Sequence, residues 1–159
     1  MQVDWARLGN PKIPVWLQEA ASIDATVREK ALNNLKNAIA PWELLDGYGS
    51  YIHLIKIAES PIPETVVPFL LDLLRNPNVK NPSYILETLH DISRYEYVNE
   101  DFIPMDKRES YHAWAQRLRQ LIRNDWNFFQ TLLNHDSADV RNETQTLIDL
   151  LSRSDRSDG

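Results

Sequence analysis

Apolar residues recur at helical spacing along most of this 159-residue chain, and the pattern is clearest between residues 64 and 93. Its apolar positions are Val67, Leu70, Leu71 and Leu74, followed by Ile85, Leu86, Leu89 and Ile92. Each set follows the period of an α-helix and so falls on one face. A polar turn at residues 76–82 separates the two sets. The stretch is therefore predicted to be a pair of amphipathic helices that needs similar neighbours to bury its apolar faces.

Comparable apolar stripes occur on both sides of this pair and predict further helices. They lie around residues 14–20, 27–39, 50–57, 110–122, 126–133 and 140–151. A leading segment, residues 1–12, is expected to cover the open end of the core with Trp5, as terminal units of helical stacks do. Only four glycines occur, and no stretch alternates polar and apolar residues for long enough to form a sheet. The fold class is therefore predicted to be all-α.

Two short segments share a motif that is typical of a known helical repeat. They are residues 24–32, DATVREKAL, and residues 136–144, DSADVRNET. Both resemble the second-helix signature of HEAT repeats, in which an aspartate lies in the turn and a Val-Arg pair opens the helix. Residues 68–74, PFLLDLL, resemble the first helix of such a repeat, where a proline commonly introduces a bend. The helix that follows departs from the signature, since Asn81-Pro82 stands where Val-Arg is expected.

This resemblance implies a right-handed α-α superhelix of about four HEAT-like helix pairs, similar to bacterial HEAT-repeat proteins. In such repeats the valine packs inward, and the arginine tends to bond to the acidic turn of a neighbouring repeat. Residues 1–151 are predicted to form a single domain, with an insertion at residues 94–109 that lacks a helical stripe. The polar residues 152–159 are predicted to be a disordered tail.

Composition and charge narrow the classes of function. The formal net charge is −6 and the pI about 5.2, which disfavours nonspecific binding to a phosphate backbone because such binding needs clustered Lys and Arg. The chain has no cysteine, so a thiolate zinc site and a cysteine nucleophile are both excluded. No leader pattern or membrane-length apolar run occurs in the sequence, and we expect a cytoplasmic protein.

The sequence contains no pattern that predicts catalysis. The histidines are His53, His90, His112 and His135, and none forms an H-E-x-x-H pair or a local metal-ligand spacing. The nucleophile motif G-x-S-x-G is also absent. Acidic residues gather in the insertion, but a loop offers little of the burial that would divide acid and base roles. No metal, no cofactor and no enzymatic activity are predicted.

Basic residues on the predicted helix at residues 110–122 and next to it could form a patch. They are Lys107, Arg108, Arg117, Arg119 and Arg123. The preferred interpretation is a solvated helix face whose arginines pair with Asp125 and nearby glutamates. The alternative is a basic patch, which the net negative charge of the whole chain does not exclude.

The insertion is the predicted partner surface, because a stacked array has no structural need for a segment of this length. Its aromatic residues can supply affinity and its acids can attract a basic partner. The predicted partner-binding residues are His90, Tyr95, Glu96, Tyr97, Glu100, Asp101 and Phe102. In the competing interpretation Tyr95, Tyr97 and Phe102 fill the gap between the third and fourth helix pairs.

These patterns favour a noncatalytic protein-protein interaction scaffold, such as an adaptor, an assembly factor or an immunity-type binder. Its partner would be another protein, and the sequence does not indicate an oligomeric state. One alternative is an enzyme component similar to the HEAT-like bilin lyase subunits of cyanobacteria. A further alternative is a helical-repeat nucleic-acid binder similar to alkylation-repair glycosylases.

Overall fold

The computed structural model describes residues 10–39, 60–79, 82–98 and 100–153. Within these ranges the chain forms seven α-helices and no strand, which confirms the all-α prediction. The helices are α1 Ile13–Ala20, α2 Ala25–Ile39, α3 Pro61–Arg75, α4 Ser83–Ser93, α5 Arg108–Arg123, α6 Trp126–Leu132 and α7 Ala138–Leu151. The predictions for Trp5, for the helix around residues 50–57 and for residues 154–159 fall outside the described residues.

Local side-chain chemistry accounts for where several helices begin. Pro14 occupies the first turn of α1, where a missing N–H costs nothing. Ser60 precedes α3, and its hydroxyl accepts a hydrogen bond from the N–H of Ile62 at 3.2 Å. Asp24 caps α2, since its Oδ1 accepts from the N–H groups of Thr26 at 2.9 Å and Val27 at 3.3 Å. These contacts satisfy backbone donors that have no partner inside the helix.

The two Val-Arg motifs build closely similar turns. Arg28 donates from Nη1 to the carbonyl of Ser22 at 3.1 Å. Arg141 donates from Nη1 to the carbonyls of His135 at 2.7 Å and Asp136 at 3.0 Å. Each arginine therefore binds the turn that precedes its own helix. The expected bond to an acidic side chain of a neighbouring repeat is not among these contacts.

Val27 does not pack inward as the motif implies. It is 37% exposed, whereas Val140 in the second motif is fully buried. The buried positions of α2 are Arg28, Ala31, Leu32, Leu35, Lys36 and Ile39. The inward stripe of α2 thus begins at the arginine, one residue after Val27, and this rotation turns Val27 towards solvent.

Helix α4 lies at the centre of the molecule and packs against α2, α3, α5 and α7. Helix α1 packs against α2, α3 against α5, and α6 against α7. Leu70, Leu74, Leu89 and Val140 are all buried, as predicted from their positions in the stripes. Side chains of every α-helix join one continuous apolar cluster.

The insertion folds into three short 3₁₀ turns, Arg94–Tyr97, Glu100–Phe102 and Met105–Lys107. The fully buried Tyr95 donates from its hydroxyl to the carbonyl of Ile39 at 2.6 Å, and Tyr111 donates to the carbonyl of Tyr95 at 2.8 Å. The ring of Tyr95 also lies 5.0 Å from that of Trp114. This part of the insertion belongs to the core that joins α2 and α5.

Two side chains bind backbone carbonyls at the end of the last helix, Arg119 from α5 and the local Ser152. Arg119 donates from Nη2 to the carbonyls of Leu151 at 2.8 Å and Arg153 at 2.6 Å. Ser152 donates from its hydroxyl to the carbonyl of Asp149 at 3.0 Å. Ser152 and Arg153, which the sequence predicts to be part of a disordered tail, have defined contacts in the structure.

Candidate functional site

The structure separates the predicted partner-binding residues into buried and accessible ones. Tyr95 is fully buried and Glu96 is 2% exposed, so neither presents its side chain to a partner on this surface. Their placement corrects the prediction and has a physical cause in each case. The Tyr95 ring packs in the core, and the Glu96 carboxylate lies beside the buried guanidinium of Arg119, with 3.2 Å between Oε2 and Nε.

The accessible members of the set lie further along the insertion. Glu100 and Asp101 are exposed, and Oε1 of Glu100 lies 3.0 Å from Nε2 of His112. Tyr97 is half-buried and donates from its hydroxyl to the carbonyl of Leu150 at 3.3 Å. The guanidinium of Arg153 lies 5.6 Å from the centre of the Tyr97 ring. The side chain of Phe102 lies outside the described part of the structure.

His90 belongs to a set of ionisable residues on α2, α4 and α7, and at the end of α4. We name it the α4 charge cluster, and its members are Lys36, Glu87, His90, Asp91, Arg94 and Glu143. At its centre is the ammonium of Lys36, which lies 2.5 Å from Oε1 of Glu87 and 3.2 Å from Oδ2 of Asp91. Lys36 is only 2% exposed, so these carboxylates offset the cost of removing its charge from water.

The outer part of the α4 charge cluster is partly open to solvent. The side chains of Glu87, His90 and Arg94 are 37%, 23% and 42% exposed. Oδ1 of Asp91 lies 3.7 Å from Nδ1 of His90 and 3.5 Å from Nη1 of Arg94. Helices α2, α4 and α7 therefore share one polar surface above their common apolar core.

Glu143 extends this surface onto α7. Partial burial raises the pKa of the Glu143 carboxyl, and the negative charges of Glu87 and Asp91 raise it further. His90 and Lys36 oppose that effect. The cluster contains three carboxylates, of Glu87, Asp91 and Glu143, and two side chains that carry a permanent positive charge, Lys36 and Arg94. An added cation would therefore be attracted to this surface.

A second polar feature lies along α5. Gln116, Arg119, Gln120 and Arg123 together with Glu96 line a pocket of about 200 Å³, which we name the α5 pocket. Arg119 is 6% exposed, which corrects its predicted position on a solvated helix face. Its guanidinium is held by Glu96 and by the carbonyls at the end of α7.

The remaining members of the predicted basic patch have separate contacts. Nη2 of Arg117 lies 3.2 Å from Oε1 of Glu64. The guanidinium of Arg123 lies 5.9 Å from the ring centre of Trp126. Arg108 donates from Nε to the carbonyl of Ile103 at 3.2 Å. Asp125, the expected partner of the α5 arginines, forms an ion pair with Arg75.

The burial of two residues at the centre of these features, Lys36 and Arg119, has a signal in the sequence. Lys36 lies among Leu32, Leu35 and Ile39, and its position in the apolar stripe of α2 predicts burial beside an acid. Arg119 likewise follows Leu118 and precedes Ile122 by three residues, so it shares their inward face. Which acids they meet depends on the packing of distant helices.

No family model, curated protein or solved structure matches the chain. Among the described residues, no group of three or more histidines and acids has an arrangement that could hold a metal ion. None of the helices described is both long and apolar enough to cross a membrane.

Proposed function

We propose that the protein is a noncatalytic scaffold that binds another protein through the layer formed by α2, α4 and α7. The underlying architecture in this proposal is a right-handed HEAT-like stack of about four helix pairs. Two sets of contacts support it: α4 packs between α2 and α7, and α3 packs against α5. This is the pattern expected when first helices and second helices of successive pairs form separate layers.

The observation that carries the proposal is the convergence of charged side chains from α2, α4 and α7 on one partly open surface. Glu87, Asp91 and Glu143 supply negative charge there, and these three carboxylates outnumber the two cations Lys36 and Arg94. A partner that brings a lysine or an arginine to this surface would lower the energy of the ionised carboxylates. The proposed partner is therefore a protein with a basic surface.

Accessible residues of the insertion extend the proposed interface. Of the predicted set, His90 lies within the α4 charge cluster, and Tyr97, Glu100 and Asp101 retain accessible surface on the 3₁₀ turns. Tyr95 and Glu96 are not part of the proposed interface, since both are buried. The interface is thus smaller and more polar than the sequence predicts.

Affinity capture with matched charge-reversal variants tests this proposal. Glu143→Lys places a cation within the α4 charge cluster, and Asp149→Lys makes the same change at an exposed position of the same helix. A partner retained by wild type and by Asp149→Lys, but lost by Glu143→Lys, supports the proposed interface. Equal capture by both folded variants, verified by circular dichroism, would place binding elsewhere.

A further inference from the structure

We propose that the α5 pocket binds a small organic carboxylate. The pocket has a volume of about 200 Å³, which is below the roughly 300–1,000 Å³ of sites for drug-sized ligands. Every lining side chain is polar, and the residues are Glu96, Gln116, Arg119, Gln120 and Arg123. A void of this kind selects a compact polar molecule, because an apolar ligand would leave the amides and charges without hydrogen bonds.

The charge of the lining favours a single negative charge on the ligand. Glu96 is compensated by Arg119, with 3.2 Å between the charged atoms, and Arg123 adds a further positive charge on the same wall. Among the described residues, no carboxylate oxygen lies within ion-pair distance of Arg123. Its guanidinium can therefore meet a ligand carboxylate with two parallel hydrogen bonds.

The inner wall of the pocket is rigid before any ligand arrives. Arg119 is 6% exposed, and its Nη2 donates to the carbonyls of Leu151 and Arg153 at 2.8 and 2.6 Å. Since Arg119 is already ordered, a ligand loses little free energy in arranging it. Gln116, Gln120 and Arg123 are exposed on the rim and remain able to move onto the ligand. Gln120 donates from Nε2 to Oδ1 of Asn124 at 2.8 Å.

Amide resonances of the pocket provide a direct test. Acetate, as the probe, is titrated into 15N-labelled protein while the side-chain NH₂ signals of Gln116 and Gln120 are followed. Saturable shifts at both signals are expected with acetate, and inorganic phosphate at equal ionic strength should give weaker ones. Equal shifts with phosphate, or none with acetate, would overturn a carboxylate site.

Two arginines on the same helix supply a matched pair of variants. Arg123→Gln removes the proposed ligand-binding cation and should weaken acetate binding by about tenfold, or ~1.4 kcal/mol. Arg117→Gln removes an equal charge, but Arg117 pairs with Glu64 and does not line the pocket. Its acetate affinity should match that of wild type, and an equal loss in both variants would mean general charge attraction only. The α5 pocket shares no residue with the α4 charge cluster, so either proposal can fail without the other.

Discussion

Lys36 illustrates how individual charges are accommodated inside this protein. Its ammonium is almost wholly removed from water, and the carboxylates of Glu87 and Asp91 lie within 3.2 Å of it. Burying such a group is favourable only when opposite charge and hydrogen bonds replace its hydration. The pair joins α2 to α4, so the same contact also fixes how these helices are arranged.

Replacing Lys36 by methionine should therefore destabilise the protein by roughly 3 kcal/mol, because Asp91 stays buried without its nearest cation. Lys30→Met, at an exposed position of the same helix, should change the free energy of unfolding by less than about 0.5 kcal/mol. Urea denaturation followed by circular dichroism measures both. A Lys36→Met variant as stable as wild type would show that hydrophobic packing compensates for the lost pair.

The carboxyl group of Glu143 should make stability depend on pH. Because its pKa is raised in the folded protein, the folded state binds a proton more readily than the unfolded state does. Ionisation of Glu143 therefore costs stability, and this cost develops as pH rises from the unfolded pKa through the folded one. Glu143→Gln should raise the melting temperature at pH 7 and lose that advantage below about pH 4.

Asp149→Asn, an exposed change on the same helix, serves as the control for this pH dependence. Its melting temperature should follow that of wild type across the same pH range. Parallel melting curves for wild type and Glu143→Gln would indicate that Glu143 has an ordinary environment.

Single residues show where prediction from the sequence stops. The inward positions of Leu70, Leu74, Leu89 and Val140 follow from helical periodicity alone. The motif predicts an inward Val27, but the inward stripe of α2 begins one residue later at Arg28 and leaves Val27 partly exposed. The pairing of Glu96 with Arg119 could not be predicted, since it joins residues whose distance in space depends on how the insertion folds.

At the scale of elements, the insertion has two parts with different roles. The 3₁₀ turn Arg94–Tyr97 is built into the core through Tyr95, while the later turns carry exposed acids. The amino-acid sequence of the insertion does not predict this division. Its 3₁₀ turns are too short for a periodic pattern of apolar residues to be recognised. The buried position of Tyr95 therefore favours the interpretation in which aromatic residues of the insertion fill a gap between helix pairs.

The hydroxyl of Tyr95 is a specific test of this structural role. Tyr95→Phe removes the hydroxyl that donates to the carbonyl of Ile39. The free energy of unfolding should fall by about 1–3 kcal/mol, because the buried carbonyl loses this donor. Tyr97→Phe should cost less, since its bond to the carbonyl of Leu150 is longer and the ring is only half-buried. Equal effects in thermal denaturation would contradict the division of the insertion into a core part and a surface part.

The central helix α4 should be the most sensitive element to truncation. Leu89 is fully buried, and Leu89→Ala should destabilise the protein by roughly 2–5 kcal/mol through lost transfer energy and the cavity left behind. Val27→Ala, at a position 37% exposed, should cost well under half as much. A melting temperature for Leu89→Ala close to that of wild type would mean that α4 does not have the packing described.

On the scale of the whole molecule, the arrangement of helices predicts unequal local stability. Among the helices that the structure describes, α4 packs against four neighbours, whereas α1 packs mainly on α2. Backbone amides of α4 should therefore exchange with deuterium most slowly and only through global unfolding, while those of α1 exchange by local opening. Hydrogen-exchange mass spectrometry measures this difference, and equal protection of α1 and α4 would argue against a central position for α4.

The hydrogen bonds that Arg28 and Arg141 each donate to a preceding turn determine which substitutions those turns can accept. Each guanidinium binds carbonyl oxygens of the preceding turn, and every residue type carries that oxygen. The turn before the first motif has Ser22 where the turn before the second has His135, and both carbonyls accept from the arginine. Substitutions at such a position therefore leave the hydrogen bond intact as long as the backbone keeps its path. Two turns that began alike could diverge until only the arginine and its helix cap preserved a trace of common ancestry.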